Sequence, residues 1–330
     1  MEAELASQMM MLSFGYRLPR CLQVAVEIGV ADAIGEEPLP LEMLAGALGA
    51  DAAALERLMK ALVAGGVFQQ LDGGYAHTPA TRLLRSDHPM SVASFVRFAG
   101  AGYNWAAWGG LDHSVLTGET AFDHMYGCNS FEFYGREPKH GRIFDQAMTS
   151  KADRDNDALV KAYDFSQYDT IADVGGGRGH LLRTILAAAP GANGVVFDLP
   201  QVVAGARELG GERINFVGGD FFNDPMPAAD AYLFMMILHD WSDEACVAIL
   251  RNLRRTAPAG AKVLVVEMVL PEAAGSEFVR LADIQMLVLT GGRERTLREY
   301  ADIFARSGYR LAGDPTPTAG EMWIVEAVAA

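Results

Sequence analysis

Hydrophobic positions follow two rhythms along the chain. In "LEMLAGALGA" (41–50) and "AAALERLMKALVAGG" (52–66), leucine and methionine recur every three or four residues, which predicts two helices that each bury one face. Asp51 stands where a side-chain cap would open the second helix, and Gly65-Gly66 where it would stop. "VFQQLDGGYAHT" (67–78) then reads as two short strands around Asp72-Gly73-Gly74, a hairpin signal. Two helices followed by a hairpin is the layout of a winged helix.

From about residue 168 the rhythm changes. "TIADVG", "GVVFDL", "RINFVGG", "AYLFMMIL" and "AKVLVVEMV" are nearly continuous apolar runs, as in strands covered on both faces. Between them lie "GHLLRTILAAA", "QVVAGAREL" and "DEACVAILRNLRRTA", which read as helices. Such alternation predicts an α/β, Rossmann-like, doubly wound and mostly parallel sheet. The closing runs "GYRLAGDPTP" and "EMWIVEAV" would add one antiparallel strand. The expected domains are 1–100 (mainly helical and winged-helix-like), 101–165 (a helical linker contributing to a substrate pocket) and 166–330 (catalytic). Eleven of the thirty aromatic residues fall between 95 and 150, among them Trp108 and Phe144. Most would pack the core, and a few would line an apolar pocket for a flat ligand.

Composition narrows the function. The formal charge of −15 over 330 residues argues against a nucleic-acid partner, because such affinity rests on lysine and arginine neutralising phosphates. Between Leu41 and Arg85 four acids face four bases, so the winged-helix-like part has no basic face. No apolar run approaches the roughly 20 residues needed to span a bilayer, and "MEAELASQMM" lacks a signal-peptide layout. Three scattered cysteines, Cys21, Cys128 and Cys246, fit free thiols in a reducing cytoplasm. The histidines show no metal-ligand spacing, so no metal is expected.

The chemistry gathers around "IADVGGGRGH" (171–180). A dinucleotide fingerprint starting at Gly175 would need a third glycine at 180, where His180 stands, and a P-loop would need a lysine after the loop. Both phosphate readings are weakened, though pattern alone excludes neither. Asp173, Asp198 ("VVFDLP") and Asp220 ("VGGDFF") follow or end successive strands, where ligands bind in open α/β sheets. Three carboxylates would repel a diphosphate and attract a sulfonium with an ammonium group, which favours S-adenosylmethionine. Asp198 is placed to accept from ribose hydroxyls and Asp220 from an adenine amine. The plainer alternative is that each aspartate caps a helix.

With these motifs in place, the chain resembles the S-adenosylmethionine-dependent small-molecule O-methyltransferases, both plant caffeate-type and bacterial antibiotic- or phenazine-tailoring. "DVGGGRG", "FDLP", "GDFF", "LHDWSDE", "VLVVE" and "GGRERT" occur in that family's order. The resemblance implies a cytoplasmic homodimer joined through its N-terminal domain, acting on an aromatic or polyketide-like hydroxyl. It implies cofactor contacts at Asp173, Gly175, Gly177, Asp198, Leu199, Gly219, Asp220, Phe221 and Met235, the last replacing a lysine of plant members. It implies substrate contacts at Trp108, Phe144, Met148, Asp240, Asp283 and Met286, although the methionines could equally be plain core.

His239 sits where the fourth strand ends. Methyl transfer to a phenol needs the oxygen deprotonated, and histidine can accept that proton. Glu267, closing the next strand, would orient the ring by accepting from one ring nitrogen, and the resemblance adds Glu294 as a second carboxylate. A structural histidine and a surface ion pair of Glu294 with Arg293 or Arg295 are the alternatives. Other readings are N-methylation or non-methylating chemistry on the same scaffold, a nicotinamide-dependent oxidoreductase, and a winged-helix regulator.

Overall fold

The computed structural model describes residues 1–206, 211–273 and 275–330, with the side chains of 151–154 left aside. Two units make up the chain: residues 1–105 with 134–151, and residues 106–133 with 152–330.

The first unit begins with helices Glu2–Ser13, Arg17–Glu27 and Val30–Ala33. The two helices read from the 3.6-residue rhythm follow as Leu41–Leu48 and Ala52–Ala64. Asp51 caps the second by accepting from the Ala54 amide at 2.8 Å. Its end falls at Gly65, and Gly66 follows in the left-handed region (φ +71) that glycine adopts without strain. Strands β1 (Gln69–Leu71) and β2 (Gly74–Ala76) form the hairpin. A Cβ on Gly74 would lie 2.1 Å from the Leu39 carbonyl oxygen, so the hairpin meets the Leu39 backbone through a residue without a side chain. Leu44, Leu55, Met59, Leu62, Phe68 and Tyr75 are buried in this unit's core. The first helix buries nothing, and Met9, Met10, Met11 and Leu12 are exposed.

The second unit carries a mixed sheet. Its strands are β3 (Thr170–Val174), β4 (Asn193–Asp198), β5 (Ile214–Gly218), β6 (Ala231–Met235), β7 (Lys262–Leu270), β8 (Arg295–Thr296), β9 (Tyr309–Leu311), β10 (Thr316–Pro317) and β11 (Met322–Ala329). The main path runs β10-β11-β7-β6-β3-β4-β5. β3 to β7 are parallel, β11 runs antiparallel to β7, and β9 and β10 pair antiparallel to β11. Both sheet faces are covered, which explains the unbroken apolar runs. Leu233, Leu264 and Val266 pack on one side with Leu182 and Ile185. Tyr232, Phe234, Val263 and Val265 pack on the other with Ile249, Leu253, Ile303 and Phe304.

Local caps hold the covering helices. Ser242 caps helix Asp243–Thr256 by accepting from the Ala245 amide at 3.3 Å. Thr296 and Glu299 form a capping box at the start of helix Leu297–Arg306. "QVVAGAREL" gives helix over Pro200–Ala204, and its residues 207–209 lie outside the described residues. Among the described residues no helix is long and apolar enough to cross a membrane.

Connectivity creates the site. The chain leaves β3 for β4 and β5 on one side, then returns to β6 on the other. The carboxyl ends of β3 and β6 therefore flank a topological switch point, where open α/β sheets bind ligands.

Candidate active site

The glycine loop leaves β3 at this point. Gly175, Gly177 and Gly179 have φ of +73, +57 and +73, a region that side-chain-bearing residues rarely enter. A Cβ on Gly176 would stand 2.5 Å from the Asp173 carboxyl carbon, so the turn closes over that aspartate. Asp173 is 2% exposed and its Oδ2 has no hydrogen-bond partner. Burial, then the nearby charge of Asp198, pushes its carboxyl up to about 7.

Asp198, at the end of β4, accepts from the Gly177 amide at 2.8 Å and the Leu199 amide at 2.6 Å. Burial raises its pKa as well. Phosphate-binding loops work by offering free amides, and here a carboxylate already occupies that of Gly177. Among the described residues neither aspartate, nor Asp220, forms an ion pair. Two carboxylates without an ion-pair partner among the described residues would attract a cation and repel a diphosphate. The donor set fits a sulfonium carrying an ammonium group.

Gly219 and Asp220 follow β5. The Gly219 amide donates to the Asp198 carbonyl at 2.9 Å, and a Cβ there would meet the Phe197 ring at 2.5 Å. Asp220 accepts from its own turn, at the Phe222 amide (2.9 Å) and Asn223 Nδ2 (2.7 Å). Its carboxylate is thus engaged in the local turn, and it caps no helix, because the chain runs from this turn to β6 without one. Beside it Phe221 and Phe222 meet Trp241 edge-on, with centroids 5.8 and 4.9 Å away. Trp241 was legible only as one letter of "HDWSD"; the structure makes it the centre of an aromatic wall. Leu199 is exposed, and Met235 is half-buried at the end of β6.

His239 occupies a short 3-10 turn, Leu238–Asp240, just past β6. The chain reaches it through Met236, at φ +54 the one non-glycine residue with positive φ among the described residues. Such a backbone costs of order 1–3 kcal/mol and persists where surroundings enforce it. The ring is 4% exposed. Its Nδ1 lies 2.9 Å from Glu294 Oε1, and its Nε2 lies 3.9 Å from Asp240 Oδ1. Glu294 is wholly buried, so it is no surface ion pair; that role falls to Arg293 with Glu299.

Glu267 departs from its expected role. Its Oε1 accepts from the amides of Ile237 and His239, both at 3.1 Å, and its Oε2 from the Tyr300 hydroxyl. It holds the backbone beneath the histidine and leaves the ring to Glu294. With Glu294 accepting at Nδ1, the neutral ring keeps its lone pair on Nε2. Burial works against a charged ring, but Asp240, Glu294 and Glu267 outweigh it and push the imidazole up to about 10. Burial pushes Asp240 up to about 6, against the pull of His239.

The remaining candidates divide. Asp283 accepts from the Glu294 amide at 3.0 Å, so it secures the second carboxylate's loop. Trp108 Nε1 donates to Gln285 Oε1 at 2.6 Å, on helix Glu277–Leu289, which also carries Asp283 and Met286. Phe144 and Met148 belong to the first unit, where Phe144 stacks on Tyr134 at 4.6 Å and meets Phe98 edge-on. Sequence reading missed Tyr300, Arg295 and Gly292. For Gly292 the reason is packing: a Cβ there would sit 1.9 Å from the His239 carbonyl oxygen and 2.5 Å from Asp240 backbone carbon. Backbone cannot swing aside, so Gly292→Ala should destabilise the protein by about 1–3 kcal/mol, read as a lower urea midpoint. An unchanged midpoint would show that the two loops do not press together.

Comparison with known proteins shows the family. An O-methyltransferase domain model matches residues 108–310, and an O-methyltransferase dimerisation domain model matches residues 10–87. The chain is 40% identical over 329 residues to the phenazine O-methyltransferase of Lysobacter antibioticus, covering 98% of this chain and 96% of that protein. It is similar to the solved mitomycin 7-O-methyltransferase, with a TM-score of 0.91 and 35% identity over 100% of this chain and 99% of that one. It is also similar to an O-methyltransferase of neocarzinostatin biosynthesis, solved with S-adenosylmethionine and 2-hydroxy-5-methyl naphthoic acid. There the TM-score is 0.81 and identity 33%, over 94% of this chain and 96% of that one. The chain belongs to the O-methyltransferase family that carries an N-terminal dimerisation domain, and it is an S-adenosylmethionine-dependent enzyme.

Proposed function

We propose that this enzyme methylates a phenolic hydroxyl on a flat aromatic small molecule, with His239 as the general base. The observation that carries the reading is the buried His239–Glu294 pair, 2.9 Å apart, at the switch point of the sheet. S-adenosylmethionine supplies an electrophilic methyl group when bound. Asp173 and Asp198 supply its anionic surroundings, and Phe221 with Trp241 an aromatic wall. Nε2 of His239 takes the phenolic proton, while Glu294 stabilises the charge that the ring gains. Trp108 and Met286 offer apolar contact, and Asp240 a half-buried acceptor for a second donor on the substrate.

Two relatives support the substrate class, one a phenazine O-methyltransferase and one solved with a hydroxynaphthoic acid. We assign the homodimer to the first unit. Residues 10–87 match a dimerisation domain, and the first helix leaves its methionines uncovered for a second copy.

The test uses methyl-labelled S-adenosylmethionine with a panel of hydroxybenzoates, hydroxynaphthoates and hydroxyphenazines, each beside its methyl ether and its amino analogue. Mass spectrometry should find label on free phenols and none on the ethers. Transfer confined to the amino analogues would overturn the oxygen specificity.

A further inference from the structure

Arg295 is wholly buried, a rare condition for a guanidinium. A structural ion pair would account for one side of its fork, where Nε donates to Asp243 Oδ1 at 2.9 Å. Nη2 shares that ion pair, 2.8 Å from the same Asp243 oxygen, and both terminal nitrogens also reach backbone carbonyls. Nη1 donates to the Leu238 carbonyl at 2.9 Å and, more loosely, to that of Arg293 at 3.3 Å. Nη2 donates to the Trp241 carbonyl at 2.7 Å. Leu238 directly precedes His239, and Trp241 directly follows Asp240. One planar group thus holds the base's turn at both ends, and it does so from the residue next to Glu294.

We propose that Arg295 is a positioning residue for methyl transfer, fixing the backbone on which the His239 ring is presented to its substrate. The inference rests on the reading of His239 as the base. Five donors in a rigid fork suit this task, whereas lysine has three donors on one atom and cannot span both carbonyls. Further contacts brace the same turn: the Glu267 carboxylate accepts the His239 amide, the Arg293 amide donates to the His239 carbonyl at 2.8 Å, and Cys246 Sγ donates to the Leu238 carbonyl at 3.2 Å and, more loosely, to that of Trp241 at 3.7 Å. At the Trp241 carbonyl the thiol contact is long and uncharged, so without Arg295 the far end of the turn is loosened.

The experiment compares the full-length wild type with Arg295→Lys, Asp243→Asn and His239→Asn. Calorimetry with S-adenosylhomocysteine reports the cofactor site. Nitrogen-labelled histidine spectra of the complex report the His239 Nδ1 proton shared with Glu294, identified by its absence in His239→Asn. Kinetics use whichever panel phenol accepts label. Arg295→Lys should keep S-adenosylhomocysteine affinity and KM, lose about 10²-fold in kcat, and broaden or shift the Nδ1 proton. Wild-type kcat with an unmoved resonance would overturn the proposal. So would a parallel fall of affinity, kcat and stability, the mark of general structural damage. Should Arg295→Lys not fold, Asp243→Asn decides: it frees the fork's anchor at a partly exposed site, and the same kcat-selective loss supports the role while full activity removes it. Activity surviving in His239→Asn would instead sink the base, leaving the resonance to judge Arg295 separately.

Discussion

His239→Ala is expected to lower turnover by about 10²–10⁴-fold, the usual worth of a positioned general base, with affinity for S-adenosylhomocysteine unchanged. The separation follows from the strands. The carboxylates of the glycine-loop side leave β3 and β4, whereas the base leaves β6 and its supports leave β7 and the 291–294 loop. Deleting the imidazole removes the proton acceptor and strands Glu294 without its partner, yet touches neither Asp173 nor Asp198. Single-turnover methylation of a panel phenol, beside calorimetric titration of the cofactor product, measures both halves. Retained turnover would leave the histidine a structural role only.

The second large effect is on pH. An ordinary histidine, near 6.5, would be neutral above pH 7 and give a flat rate there. Here the surrounding carboxylates outweigh burial and hold the ring's pKa at about 10, so the resting enzyme carries the proton that it must later take. The productive complex, neutral ring with phenol or imidazolium with phenolate, has one proton fewer than the resting enzyme with its phenol. Its fraction therefore grows as protons become scarce. We expect kcat/KM to climb by about tenfold per pH unit from neutrality towards the ring's pKa, and to fall beyond it as both partners lose their protons. Phenol and ring then share the proton almost evenly, since a phenolic group has a pKa of about 10.

Glu294→Gln should move that optimum down, because it removes the negative charge that sits on Nδ1 and so lowers the ring's pKa. It should also reduce the maximal rate, since the imidazolium loses its closest counter-charge. A profile that is flat from pH 7 upward in the wild type, or an optimum unmoved in Glu294→Gln, would contradict the electrostatic account.

Much of this was readable in the chain, and the exceptions share a cause. β6 and β7 were legible because strands covered on both faces need apolar side chains in both directions. His239 was legible from its place just past β6, whereas Glu294 entered only through the family resemblance. Glu267 was placed on the right strand, but the groups its oxygens would meet depend on how the backbone doubles back after Met236. Asp220 satisfied two descriptions in sequence, a helix cap and an adenine acceptor; no helix follows it, and its oxygens meet the turn of 220–223, a contact that neither description named. "RER" shows the same limit. Arg293 points to the surface while Glu294 and Arg295 are buried, a difference that neighbouring identical letters cannot carry. Gly292 and Trp241 matter through partners distant in sequence, which no local pattern encodes.

Cys246 lies one hydrogen bond from the base's turn, and burial pushes its thiol up to about 12. Sulfur is a stronger nucleophile than a phenolic oxygen, but only as the thiolate. An enzyme that handles an alkylating reagent cannot leave an ionised thiol beside its working surface without the hazard of suicide by self-modification. By keeping this sulfur in its inert, hydrogen-bearing form, the fold can seat a soft, space-filling atom next to the base while denying it any share in the chemistry.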